Sequence, residues 1–187
     1  MMSNWQTMID HSPLSERRWL RLCCAALAAL GLLQASLAAS PGLVGRPAPD
    51  FGLPAVVGDN VRLSEYRGQP VILSFWSSRC SSCIKQLAAL NKLYGTYRSA
   101  GLVVFGIGID DNLVRAREYA RARGTSYPLL LDVEKNVGRD FAVDRLPTTI
   151  LIDRGGVVRY VHSDDGADER SYVVQIRTLL DDKPAVP

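Results

Sequence analysis

The residue types that could carry chemistry are concentrated in one stretch, FWSSRCSSC at 75–83. Cys80 and Cys83 lie three residues apart, directly after an apolar run that reads as a strand. If Cys80 ends that strand and opens a helix, its sulfur sits beside free backbone N–H groups at the positive end of the helix dipole. That environment favours thiolate over thiol, and thiolate is the attacking species. Cys83 falls one turn on, on the same face, so the two sulfurs can close a small ring and reopen it. A purely structural bridge gains little from so short a loop, because little unfolded-state entropy is removed. The pair therefore reads as a redox dithiol. Zinc asks for four ligands, and beyond the first 40 residues the chain offers only these two cysteines and His162.

The elements that must hold this pair follow from periodicity. Residues 41–62 are rich in Pro and Gly and read as a loop and short hairpin turning at Gly58-Asp59-Asn60. Residues 63–66 form one helical turn closed by Gly68. The run 71–76 is a strand buried on both faces. After Cys80, the three- and four-residue spacing of Leu87, Leu90, Leu93, Tyr94 and Tyr97 predicts a helix ended by Gly101. A second strand at 102–109 leads to Asp110-Asp111-Asn112, which supplies N-cap residues for a helix to about Arg123, closed by Gly124. A strand at 128–131, a short helix at 134–142, a hairpin of 148–152 and 157–162, and a last helix at 168–180 complete the pattern. Strands alternating with helices before a terminal hairpin predict an α/β fold, its sheet parallel first and antiparallel at one edge.

Composition bounds the rest. The chain has 187 residues, net charge +3 and 47% hydrophobic residues, which fits one globular domain. The charge is small and scattered, so no nucleic-acid partner is expected. The one dense cluster, Arg115, Arg117, Arg121 and Arg123 around Glu118, reads as a solvated helix face. The N-terminus differs. Arg17, Arg18 and Arg21 precede an uncharged stretch at 22–40 that ends in small residues, the pattern of an export signal. The stretch is close to the roughly 20 apolar residues of a membrane span, so residues 1–38 read as a cleaved signal peptide or an N-terminal anchor. Cys23 and Cys24 fall inside it. Either way the domain at 41–180, with a short tail at 181–187, is expected outside the cytoplasm, in the periplasm. It is either soluble or tethered to the inner membrane, and there a disulfide can persist.

APDF (48–51), LSEYRGQPVILSFW (63–76), CSSC (80–83), YPLLLD (127–132) and LPTTILID (146–153) together resemble the TlpA/ResA-type thioredoxin-like thiol-disulfide oxidoreductases. The resemblance implies a thioredoxin-like fold, a central mixed sheet flanked by helices, with an N-terminal extension and a strand-helix insertion within 102–132. It implies a cis peptide bond at Leu146–Pro147 facing the cysteines, with the backbone there pairing with the substrate chain as an added strand. Cys80 and Cys83 are then catalytic, and Trp76, Arg79, Leu146 and Pro147 substrate-binding. No cofactor and no metal are implied.

The departures are specific. Arg79 stands where the family commonly has tryptophan; its charge should lower the Cys80 thiolate pKa and favour an acidic partner. Gln86 replaces the family's glutamate three residues after the second cysteine, Ala88 replaces a proline, and Ser74 stands where thioredoxin has a buried acid. No carboxylate is therefore evident to take the proton of Cys83. Asp110 is a substitute, although a helix cap is its simpler role.

The function expected is an exported thiol-disulfide oxidoreductase, a monomer that reduces disulfides of exported proteins, for instance in cytochrome c maturation, and is recharged by a membrane electron donor. Two rivals stand beside it. A peroxiredoxin-type peroxidase shares the APDF segment, but needs a proline and a Thr or Ser ahead of the reactive cysteine; those positions fall here on Leu73 and near Ser77. A copper-binding chaperone would use Cys80, Cys83 and His162.

Overall fold

The computed structural model describes residues 42–163 and 169–182. Its centre is a five-stranded sheet of β3 (Val71–Trp76), β4 (Val103–Gly108), β5 (Leu129–Leu131), β6 (Thr148–Ile152) and β7 (Val158–His162), in the order β5-β4-β3-β6-β7. The β5, β4 and β3 strands run parallel, whereas β6 and β7 are antiparallel to their neighbours. The expected mixed sheet is therefore present, with its antiparallel part at one edge. A separate two-stranded hairpin pairs β1 (Gly52–Leu53) with β2 (Val61–Arg62). The segment expected to hold the inserted pair contains β4, the helix α2 (Leu113–Arg123) and β5.

All six residues of β3 are buried, as its uninterrupted apolar run requires of a central strand. Alternate residues feed two cores. On one face Ile72 and Trp76 pack with Leu87, Leu90 and Leu93 of α1 (Ser81–Tyr97), Ala116 and Ala120 of α2, and Tyr172, Ile176 and Leu179 of α4 (Glu169–Asp181). On the other face Leu73 and Phe75 pack with Phe105, Phe51, Leu63, Phe141 and Val137 of α3 (Asn136–Asp140). Helices thus cover one face, while a short helix and the extension before β3 cover the other.

That extension also guards both sheet edges. Gly45 and Ala48 donate to Val158 and Gly156 beside β7, and Val56 donates to Leu129 beside β5. An edge strand left open would be a template for unwanted pairing.

The topology brings the chemistry to one end of the sheet. The segments leaving β3, β4 and β5 emerge at that end, because those strands are parallel, and the segment entering β6 lies there because β6 is antiparallel. Phe75 pairs with Thr148, so the next residue of β3, Trp76, stands opposite Pro147. Residues 1–38, the part of the expected 181–187 tail from 183 on and the expected start of the last helix at Asp168 lie outside the described residues; Asp181 ends α4 instead of opening the tail. Among the described residues no helix is long and apolar enough to cross a membrane.

Candidate active site

Cys80 is the N-cap of α1, with extended backbone at φ −95° and ψ 105°, and its Sγ accepts a hydrogen bond from the Cys83 N–H at 3.1 Å. This is the placement that favours a thiolate once the bond is reduced. The two sulfurs are joined in a disulfide. They differ sharply in access: Cys80 is half-buried, whereas Cys83 is 0% exposed. The Cys83 sulfur is thus closed to solvent, whereas Cys80 keeps part of its surface open. The Ser82 hydroxyl lies 3.4 Å from Cys80 Sγ, within range to hydrogen-bond sulfur.

The segment that delivers Cys80 is fastened by Asp110. Its buried carboxylate accepts from the Ser78 N–H at 2.6 Å, the Ser78 hydroxyl at 2.8 Å and the Ser77 hydroxyl at 3.3 Å. The expectation that Asp110 caps a helix is corrected. Asn112 caps α2, its side chain accepting from the Arg115 N–H at 2.9 Å, because the cap must immediately precede the first helical residue. Asp110 is therefore free to reach the Ser77–Ser78 turn on the neighbouring strand's exit. Both serine hydroxyls are turned to Asp110.

Trp76, expected to touch substrate, is corrected as well. It is 0% exposed, its indole lying over Gly106 and Gly108 of β4 and stacked on Tyr119 at 5.3 Å between ring centroids. A Cβ at Gly108 would come within 2.8 Å of the indole ring, which is why glycine stands there. Trp76 therefore presents no surface to solvent and packs inside the domain against β4 and α2.

Arg79 is exposed and pairs with Asp111 at 2.5 Å, and the other oxygen of Asp111 takes Lys135. The positive charge beside Cys80 is thus shared with a carboxylate instead of facing the sulfur alone. The hydrogen bond and charge of Lys135 hold the Asp111 carboxyl below its ordinary range, with a smaller contribution from Arg79.

The Leu146–Pro147 peptide bond is cis, as expected. Leu146 is half-buried and packs against both cores, whereas Pro147 is buried. Among the described residues neither the N–H nor the C=O of Leu146 has a hydrogen-bond partner, so a short unpaired backbone edge faces the Cys80 end of the sheet.

Beneath the disulfide, the Gln86 amide donates to the Thr149 hydroxyl at 3.0 Å and to the Tyr172 hydroxyl at 2.9 Å. A neutral amide therefore fills the place of the family's acid and ties α1 to β6 and α4. Ser74 is buried on the same face with its hydroxyl unpartnered. His162 is engaged elsewhere, its Nε2 lying 2.8 Å from Gln175 Oε1. Among the described residues no three His, Cys, Asp or Glu side chains are grouped to hold a metal ion. The sequence reading did not anticipate Asp111, Lys135, Thr149 or Tyr172 at the site, since each comes from an element far along the chain.

A thioredoxin-like sheet, a cis-proline segment and a half-exposed N-cap cysteine bonded to a buried one define a class that comparison with known proteins narrows. The chain belongs to the AhpC/TSA family, whose model matches residues 44–161. Within it, the protein is a ResA-like thiol-disulfide oxidoreductase. It is 34% identical over 118 residues to thiol-disulfide oxidoreductase ResA of Geobacillus kaustophilus, covering 63% of this chain and 68% of that one. The ResA of Halalkalibacterium halodurans is 29% identical over 153 residues, covering 79% and 87%. Among solved structures, a candidate thiol:disulfide interchange protein DsbE from Chlorobium tepidum superposes with TM-score 0.69 at 30% identity, covering 73% of this chain and 97% of that one.

Proposed function

We propose that this oxidoreductase works outside the cytoplasm as a reductant of disulfides in exported polypeptides, with Cys80 attacking and Cys83 resolving. The observation that carries this reading is the difference in access between a half-buried N-cap sulfur and one that is 0% exposed. The Cys80 thiolate attacks one sulfur of the substrate disulfide. That bond breaks, a mixed disulfide forms, and the departing substrate thiolate takes up a proton. Cys83 then gives up its proton and attacks Cys80 Sγ, expelling the second substrate thiol. Two electrons and two protons pass to the substrate, and the enzyme is left in the disulfide state. The unpaired edge at Leu146, beside Pro147, offers the substrate backbone a strand to pair with. Arg79 lies on the rim of the same mouth.

Residues 1–38 serve as the export signal or as an inner-membrane anchor for the domain at 41–180. Apocytochrome c before haem attachment is a substrate of the right chemistry, and a membrane-bound dithiol donor would restore the reduced state. No cofactor is needed for exchange between sulfurs.

The test uses Cys83→Ser and Cys80→Ser. Reduced Cys83→Ser protein should accumulate a stable mixed disulfide with a disulfide-bearing polypeptide, visible by mass, whereas Cys80→Ser should not. The opposite pattern would overturn the assignment. A reduction potential near about −270 mV supports a reductant, and one near about −120 mV makes the protein an oxidant instead.

A further inference from the structure

Two arginines stand at the mouth of the site, each immediately ahead of one of its working parts. Arg79 precedes Cys80 and Arg145 precedes Leu146–Pro147. The Cys80 segment leaves β3 and the Leu146–Pro147 segment enters the neighbouring antiparallel β6 at the same end of the sheet, since Phe75 pairs with Thr148. Arg79 therefore adjoins Cys80, and Arg145 adjoins the cis-proline segment at that same end of the sheet. Both are open to solvent, each side chain being 65% exposed.

Their present partners are loosely held. Among the described residues the Arg145 side chain meets the carboxylate of its sequence neighbour Asp144, at 3.5 Å, and that side chain is 71% exposed. Arg79 meets Asp111, but Asp111 has a second cation. Its Oδ2 faces Arg79 and its Oδ1 faces Lys135. If Arg79 turns away, Asp111 keeps Lys135, which is also the larger cause of its lowered pKa. Exposed ion pairs are worth a factor of about 1.5 to 5 in equilibrium. Exchange of Asp111 for an incoming carboxylate is then close to even, and it leaves no charge unpaired.

We propose that Arg79, with Arg145 opposite, forms an anion-recognising subsite that selects disulfides flanked by Asp or Glu in the substrate polypeptide, Lys135 retaining Asp111 while Arg79 swings across. The subsite rests on the reductase reading and names the substrate class for it. Arginine suits the task because its planar fork can take a carboxylate through two parallel hydrogen bonds.

The experiment uses three disulfide-closed peptides that differ only beside the cysteines: two Glu, two Gln or two Lys. The readout is the ratio of kcat/KM for the Glu peptide over the Lys peptide at low ionic strength. A shift in Cys80 acidity changes all three peptides alike and cancels in that ratio. The full-length reduced protein should show a ratio of about ten or more, expressed mainly in KM. Arg79→Gln should cut the ratio at least threefold and Arg79→Glu should bring it near or below one. Arg145→Gln should lower it less. Asp111→Asn, which frees Arg79, should raise it about two- to threefold. A ratio unchanged in Arg79→Gln overturns the subsite, and a ratio that falls in Asp111→Asn overturns the exchange with Lys135. If the wild-type protein reduces none of the three peptides, the reductase reading is the one that fails. Calorimetric titration of the oxidised protein with the same peptides carrying Ser in place of Cys then reads the subsite alone, and equal binding of the Glu and Lys forms would sink it.

Discussion

Asp110→Ala should loosen the segment that carries Cys80, and the size of the effect follows from three hydrogen bonds. The Asp110 side chain is buried and accepts from the Ser78 N–H at 2.6 Å, the Ser78 hydroxyl at 2.8 Å and the Ser77 hydroxyl at 3.3 Å. Hydrogen bonds to a charged group contribute about 1.5–3 kcal/mol each. These three are not independent, because two come from one residue and both hydroxyls can turn to water. The expected loss is therefore about 3–4 kcal/mol. A domain holds about 5–15 kcal/mol in all, so the variant should fold but melt early, by about 10 °C. Asp110→Asn keeps the shape and one good acceptor for the Ser78 N–H, and the serine hydroxyls can reverse to accept from its amide. Its loss should be about 1–2 kcal/mol. Urea unfolding of the oxidised full chain measures both. The kinetic consequence is larger in proportion, because misplacing a reacting group by about 1 Å can cost about 100-fold in rate. Mixed-disulfide formation should slow about 10- to 100-fold in Asp110→Ala and less than about 10-fold in Asp110→Asn. A double-mutant cycle with Ser78→Ala should show coupling of about 1 kcal/mol or more. If Asp110→Ala stays within about 0.5 kcal/mol of wild type, or if the two residues are uncoupled, Asp110 does not fasten this segment.

Three other outcomes are expected. Gln86→Ala removes both donated bonds to Thr149 and Tyr172, and should cost about 2–3 kcal/mol in a thermal melt, equally in oxidised and reduced protein. Gly108→Ala brings a Cβ within 2.8 Å of the Trp76 ring; the overpacking should cost about 1–3 kcal/mol and change the fluorescence difference spectrum of Trp76. The Asp50 and Asp111 carboxyls both lie below their ordinary value. For Asp50, burial pulls upward, but the Ser64 N–H and hydroxyl and the Arg62 charge together outweigh it. For Asp111 the Lys135 hydrogen bond leads. A carboxylate with a depressed folded pKa lends stability that is complete above the ordinary value near about pH 4 and is lost as pH falls through the folded pKa. Stability plotted against pH should therefore fall less steeply below about pH 4 in an Asp50→Asn, Asp111→Asn double variant than in wild type, and run parallel to it from about pH 6 to 8.

What was legible in the sequence was what neighbours in the chain decide. The helix after Cys80, the buried strand at 71–76, the turn at Gly58, the stop at Gly124 and the hairpin around Gly156 follow from periodicity and from residues that accept φ near +60 to +95°. The burial of Trp76 was legible too. A strand buried on both faces leaves no residue free to meet a substrate, so the reading of 71–76 already conflicted with a binding role for its last residue. What could not be read was pairing across distance. Ser78 and Asp110 are 32 residues apart, as are Arg79 and Asp111, and Gln86 and Tyr172 are 86 apart. Only the parallel exits of β3 and β4 bring the first two pairs together. The departures from the family pattern were visible as letters, but their meaning depended on those partners. An arginine before Cys80 reads as a lone charge until Asp111 and Lys135 are seen beside it. A glutamine for a glutamate reads as a missing proton acceptor until its amide is found donating to two buried hydroxyls. The buried carboxylates among the described residues, Asp110 and Asp132, both accept backbone N–H groups, from Ser78 and Gly138. The acid side of this chemistry has thus been spent on holding loops in place. The charges left open to solvent at this end of the sheet include Arg79 and Arg145, on which the proposed selection of acidic substrates rests.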